Sequence, residues 1–189
     1  MQHTRRFAVL LIAVAGVVCL AAEPAVSGLK PGQRPGPYSS LVSVGVERGQ
    51  SHCFICETAD RPAVIVFARR LSDPLGKLAR GLDKALSDHK DAELRAWVTF
   101  LSDDQTALDP KVVDWSKKQS LRRVPLSVFE DVVGPPSYLL GRESDVTVLL
   151  SVKRKVVRNF AFRAGELNDE RVAEILKAVP RITKKKEAP

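Results

Sequence analysis

Only three histidines and three cysteines occur among the 189 residues, with one methionine, two tryptophans and two tyrosines. Three histidines are too few for a multi-histidine metal centre. Three cysteines are too few for a disulfide-stapled mini-protein, and a chain of this length buries a core without staples. No Gly-x-Ser-x-Gly turn and no phosphate-cradling glycine loop occurs, so the usual marks of a hydrolase elbow and of a nucleotide cradle are missing. No internal repeat is present. The longest uncharged apolar run, Phe7 to Ala22, falls short of the roughly 20 residues that a membrane span requires.

Cationic charge is plentiful but scattered: 30 Lys and Arg stand against 22 Asp and Glu, a formal charge of +8. Arg69-Arg70, Arg122-Arg123 and Lys153-Arg154-Lys155 fall at strand ends and turns, and aromatic residues do not interleave with them. A nucleic-acid face gathers cations and aromatics on one surface, so no nucleic-acid partner is expected. Solvated loops, with a loose attraction to an anionic envelope, account for these residues. Trp97 and Trp115 sit at strand and helix spacing and read as core. With 44% hydrophobic and 28% charged residues, the chain has the composition of a globular domain.

Four regions follow from the pattern. Residues 1–22 carry Arg5 and Arg6, then the apolar run, then Ala21 and Ala22, which is the order of a secretory signal peptide. Its removal takes Cys19 away, lowers the charge from +8 to +6 and leaves Cys53 and Cys56 in an oxidising compartment, periplasmic, envelope or secreted. A retained N-terminal anchor is the alternative; after cleavage no stable membrane span is expected. Residues 23–40 are rich in Pro and Gly without an apolar period and read as a linker. Residues 41–180 form one domain, and 181–189 form a basic tail with Lys184, Lys185 and Lys186.

Within the domain, Leu41 to Glu47 is expected as a strand, and the apolar run Ala63 to Ala68 suits a strand buried on both faces. Ser72 and Asp73 before Pro74 start a helix through Ser87, with Leu75, Leu78, Leu82 and Leu86 on one stripe. Leu94 to Leu101 is a second central strand. Asp109-Pro110 opens a helix to Leu121, and Pro125 to Phe129 is extended. Val146 to Val152 and Val156 to Phe162 are strands joined by Lys153-Arg154-Lys155. Asn168 caps a last helix bearing Val172, Ile175, Leu176 and Val179. The alternation implies an α/β fold of three layers: a mixed, mostly parallel central sheet with helices on both faces.

These stretches together resemble the thioredoxin-like family, in its redoxin branch of peroxiredoxins and thiol-specific antioxidant proteins. Pro62 to Ala68 followed by Ser72-Asp73-Pro74-Leu75 and the leucine helix is similar to that family's central strand and active-site helix. The resemblance implies a Cys-x-x-Cys at the helix start, where the thiolate is stabilised. Here Pro74 is kept, while Ser72 and Leu75 stand at the cysteine positions, so no nucleophile carries over to that site. The family's cis-proline position falls at Val146-Thr147, with Pro125 an alternative in an earlier segment.

The mature cysteines stand upstream, in His52-Cys53-Phe54-Ile55-Cys56-Glu57. Their i, i+3 spacing lets two sulfurs meet in one turn or share a metal. Three readings stand side by side. The pair is a reversible dithiol/disulfide that exchanges with envelope protein thiols or disulfides and needs no cofactor. It is a permanent disulfide of a non-catalytic scaffold domain, with Phe54 and Ile55 plugging the loop into the core. Or it binds a metal with His52 and, less directly, His89. Haem attachment is excluded, because Glu57 follows the second cysteine. A triad of Ser72, Asp73 and His89 is excluded by distance, since His89 lies at the far end of the same helix.

Overall fold

The computed structural model describes residues 24–184; the expected signal segment and Cys19 lie outside them. Seven strands form one sheet: β1 (Ser40–Val44), β2 (Ser51–His52), β3 (Ala63–Ala68), β4 (Arg95–Ser102), β5 (Leu126–Glu130), β6 (Val146–Val152) and β7 (Lys155–Phe162). Their order across the sheet is β2-β1-β5-β4-β3-β6-β7. The helices are α1 (Phe54–Thr58), α2 (Asp73–Asp88), α3 (Gln105–Lys118), α4 (Asp169–Ala178) and α5 (Pro180–Thr183).

The sheet is mixed. β3, β4 and β5 run parallel at its centre, while β1, β2, β6 and β7 pair antiparallel around them. Every residue of β3 is buried, as the apolar run with β-branched side chains requires of a strand covered on both faces.

The two faces are covered unequally. Val64, Val66 and Ala68 pack with Leu75, Leu78 and Leu82 of α2, Val112 and Trp115 of α3, and Val172 and Ile175 of α4. All three long helices therefore lie on one face. The reason is topological: the crossovers β3-α2-β4 and β4-α3-β5 step in the same direction across the sheet, and right-handed connections then place both helices on the same side. The opposite face, with Ala63, Ile65, Phe67 and Trp97, is covered by Leu29, Tyr38 and Tyr138, and by Phe54 and Ile55 of the short α1. The expected second helical layer is thus mostly extended chain.

Much of that cover comes from the Pro- and Gly-rich stretch. Leu29 and Tyr38 are buried, Gly32 N–H donates to Val156 O at 2.8 Å, and Val156 N–H donates to Gln33 O at 2.9 Å. Asn159 Nδ2 donates to the carbonyls of Ser27 and Leu29 at 2.7 and 3.0 Å. The segment straps the sheet. At the other end, Ile182 of α5 is buried against the helical face.

Local chemistry explains the element boundaries. Ser72 Oγ accepts from Leu75 N–H at 3.3 Å and caps α2, with Pro74 in its first turn. Asn168 caps α4 by accepting from Arg171 N–H at 3.0 Å. The third helix departs from expectation: it starts at Gln105, not at Asp109, because Asp104 Oδ1 accepts from Ala107 N–H at 2.8 Å. Pro110 lies inside it, and Asp109 instead takes two hydrogen bonds from Arg48 at 3.1 and 3.0 Å. The β6–β7 connection is also tighter than expected. Only Lys153 and Arg154 form the turn, both at positive φ (52° and 58°), as a two-residue turn of this twist demands. All described peptide bonds are trans, including that of Pro125. Arg69, expected in a solvated loop, is half-buried and donates to the carbonyls of Ser144, Gly141 and Val132. Its guanidinium pKa is lowered by that burial.

Candidate redox site

β1 and β2 form a small edge hairpin, and the chain leaves it at His52 directly into Cys53 and α1. Cys53 is the N-cap residue of α1, with Cys56 N–H donating to its carbonyl at 3.1 Å. That turn brings the two Cα atoms to 5.4 Å, and the sulfurs are bonded to each other. Five residues are too few for a helix to be stable alone, so tertiary contacts hold α1. The Phe54 ring stacks on Trp97 of β4, with centroids 5.7 Å apart and an interplanar angle of 26°. Ile55 packs into the same face, so the apolar dipeptide between the cysteines does plug the loop into the core. Thr58, itself buried, donates through its hydroxyl to Phe54 O at 2.9 Å.

The exit from α1 is tied to the β6–β7 hairpin. Lys153 N–H donates to Asp60 O at 3.0 Å, and Arg154 Nε meets Asp60 Oδ1 at 3.0 Å. Arg61 binds back to the carbonyls of Thr58 and Glu57. With its apolar residues facing inward, the helix turns the disulfide outward: Cys53 is half-buried and Cys56 is exposed.

Two depressions flank this helix. One, of about 650 Å³, is lined by His52, Phe54, Glu57, Arg95, Arg122 and Arg123 among others. The second, of about 280 Å³, is lined by Arg34, Pro35, Pro37, Ile55, Cys56, Ala59 and Arg154. His52 Nε2 is buried without a hydrogen-bond partner and lies 3.6 Å from Glu57 Oε2.

The other candidate residues lie elsewhere. α1 leads into the N-terminal end of β3, whereas Ser72 follows its C-terminal end, and six residues of strand span about 20 Å. At that far end Ser72 is a helix cap and Leu75 is fully buried in the core. His89 ends α2 and meets the Thr183 hydroxyl at 3.1 Å. It does not join His52, Cys53 and Cys56, and both sulfurs of the metal reading are consumed in the disulfide. Among the described residues no three His, Cys, Asp or Glu side chains gather as a metal site. Sequence reasoning missed α1 itself and the cleft beside Cys56. Arg34 and Arg154 come to that cleft from opposite ends of the chain, and no local pattern marks them.

No protein-family model matches the sequence, and no curated protein matches it. Solved structures do match in three dimensions. A protein of Bacteroides thetaiotaomicron assigned as a disulfide isomerase is 14% identical, with a TM-score of 0.64 over 85% of this chain and 95% of that one. The chain has the thioredoxin-like fold. Peroxidoxin BcpB from Mycobacterium tuberculosis is 14% identical, with a TM-score of 0.57 over 82% of this chain and 99% of that one. The thioredoxin domain of a thiol-disulfide oxidoreductase from Bacteroides vulgatus is 15% identical, with a TM-score of 0.56 over 80% and 99%. The helix start that follows the central strand β3 is that of α2. In this thioredoxin-like chain that helix start carries Ser72 and Leu75, and the only disulfide among the described residues is at α1.

Proposed function

We propose that the protein exchanges disulfides with protein thiols through Cys53 and Cys56. One observation carries the reading: the disulfide is surface-accessible, with Cys56 exposed at the wall of an open cleft. A bond that served only to fasten the loop would add little, because a four-residue loop removes little unfolded-state entropy and Phe54 and Ile55 already anchor α1. Structural neighbours that include a thiol-disulfide oxidoreductase lend the reading chemical precedent on this fold. The rival reading, a scaffold with a fastening disulfide, draws on the same Phe54–Trp97 anchor.

The reduction potential separates them. Incubated with glutathione or dithiothreitol buffers without denaturant, the pair is expected to equilibrate at a potential well above about −300 mV. Resistance to reduction until the protein is unfolded would remove the exchange function and leave the scaffold.

Export belongs to the same proposal. Arg5-Arg6, the apolar run and Ala21-Ala22 support a cleaved signal, and an oxidising compartment suits a disulfide. Among the described residues no helix is long and apolar enough to cross a membrane. Expression of the full chain in a bacterial host is expected to yield a fractionated protein beginning at Glu23. Recovery of the uncleaved chain in the cytosol would remove this part.

A further inference from the structure

The two cysteines of the disulfide differ in exposure. Cys56 is exposed and Cys53 half-buried, and only Cys56 lines the 280 Å³ cleft; neither lines the larger depression. Thiol exchange is governed by access to the attacked sulfur as well as by thiolate fraction. The cleft wall supplies both conditions. Pro35, Pro37 and Ile55 give it an apolar lining, and Arg34 and Arg154 bring two cationic side chains to the same cleft. Arg154 shares its charge with Asp60, whereas Arg34 has no ion-pair partner among the described residues. Cationic side chains lining the cleft favour the thiolate form of an entering thiol.

Resting on the exchange reading above, we infer that Cys56, and not Cys53, is the sulfur that forms the mixed disulfide with the partner. An incoming thiolate bonds to Cys56 Sγ, the Cys53–Cys56 bond breaks, and its electron pair leaves on Cys53 as a thiolate. A second thiol of the same partner, deprotonated, then attacks the partner sulfur joined to Cys56. Cys56 departs as a thiolate, the partner dithiol has become a disulfide, and the pair has gained two electrons, with protons exchanged through solvent. In the opposite direction the Cys56 thiolate opens the partner's disulfide and Cys53 resolves the product. This inverts the order that the thioredoxin-like resemblance implies, in which the first cysteine of the pair attacks.

The test maps the first adduct. The oxidised, otherwise unaltered protein is mixed briefly with reduced glutathione and quenched with N-ethylmaleimide, which caps the freed thiol. Fragment-ion mass spectrometry then assigns each label. Glutathione on Cys56 with maleimide on Cys53 is expected to exceed the reverse pattern by about fivefold, in the direction set by access to the attacked sulfur. An equal or reversed distribution overturns the inference and leaves the exchange reading standing. Absence of any glutathione adduct, with no reduction short of unfolding, removes the exchange reading itself. In a second arm Cys53→Ser and Cys56→Ser, each with one thiol, are offered oxidised glutathione. Cys53→Ser is expected to form the mixed disulfide faster by a similar factor; equal or slower reaction overturns the assignment to Cys56.

Discussion

The Tyr38 hydroxyl accepts from Trp97 Nε1 at 2.8 Å and shares a hydrogen bond with Thr99 Oγ1 at 2.8 Å. Thr99 continues to Ser127 at 3.1 Å and Ser127 to Ser40 at 2.8 Å, so a polar chain runs through the buried sheet. Burial raises the Tyr38 pKa to about 12, outweighing the opposing hydrogen bonds from Thr99 and Trp97. Tyr138, also buried, is shifted in the same direction. The folded state therefore holds the neutral phenol over a range in which the unfolded chain ionises, from about pH 10 upward. Stability from this source is complete below pH 10 and is lost as the pH rises toward 12. Two units correspond to ~3 kcal/mol at most. Urea denaturation from pH 9 to 11.5 is expected to show a steeper alkaline loss in the unaltered protein than in Tyr38→Phe. Equal slopes would mean that Tyr38 ionises freely in the folded state.

At the scale of elements, α2 is held at its middle by one carboxylate. Asp83, 8% exposed, accepts from the backbone N–H groups of Arg122, Arg123 and Val124 at 2.6, 3.0 and 2.7 Å. The helix is thereby fastened to the segment entering β5. Asp83→Ala leaves these donors unpaired and is expected to cost about 3 kcal/mol in urea unfolding, with an unchanged slope. Asp83→Asn, which keeps an acceptor oxygen, is expected to cost less. The bounds of α2 were legible to within a residue, because the leucine stripe and the Ser72 cap are both local signals. Those of α3 were not: Asp104 and Asp109 offer equal cap chemistry, and Arg48, distant in sequence, claims Asp109. The short α1 was invisible, since its formation depends on Trp97 and on the hairpin turn rather than on propensity. For the candidate site, spacing made the Cys53–Cys56 pairing legible, and the apolar Phe54-Ile55 between the cysteines hinted at its plug. The cleft that Cys56 lines is completed by the strap and by Arg154, both remote in sequence.

For the whole molecule, the decisive element is the strap formed by residues without any periodic pattern. A stretch rich in Pro and Gly reads as a linker because nothing in it points to a regular element; its attachment is made by backbone bonds to β7 and by Leu29 and Tyr38. Gly28 sits at φ 83°, and a Cβ there would meet Thr147 Cγ2 at 2.7 Å and Asn159 Nδ2 at 3.0 Å. Both the backbone conformation and the space exclude a side chain. Gly28→Ala is expected to cost about 2 kcal/mol and to raise amide exchange in β6 and β7 more than in β4. Uniform acceleration across the sheet would show that the strap is not a separate stabilising unit.

Leu75, buried at the start of α2, also bears on anyone who would engineer this scaffold. Writing cysteines into positions 72 and 75 would restore a familiar motif on paper. In the molecule, Leu75→Cys would hollow the core, at about 2 kcal/mol, and set the new thiol in apolar surroundings that suppress its ionisation. Ser72→Cys would remove the cap of the same helix. A dithiol site cannot be placed at the start of α2 by editing two letters, and a catalyst built on this chain has to be developed around α1.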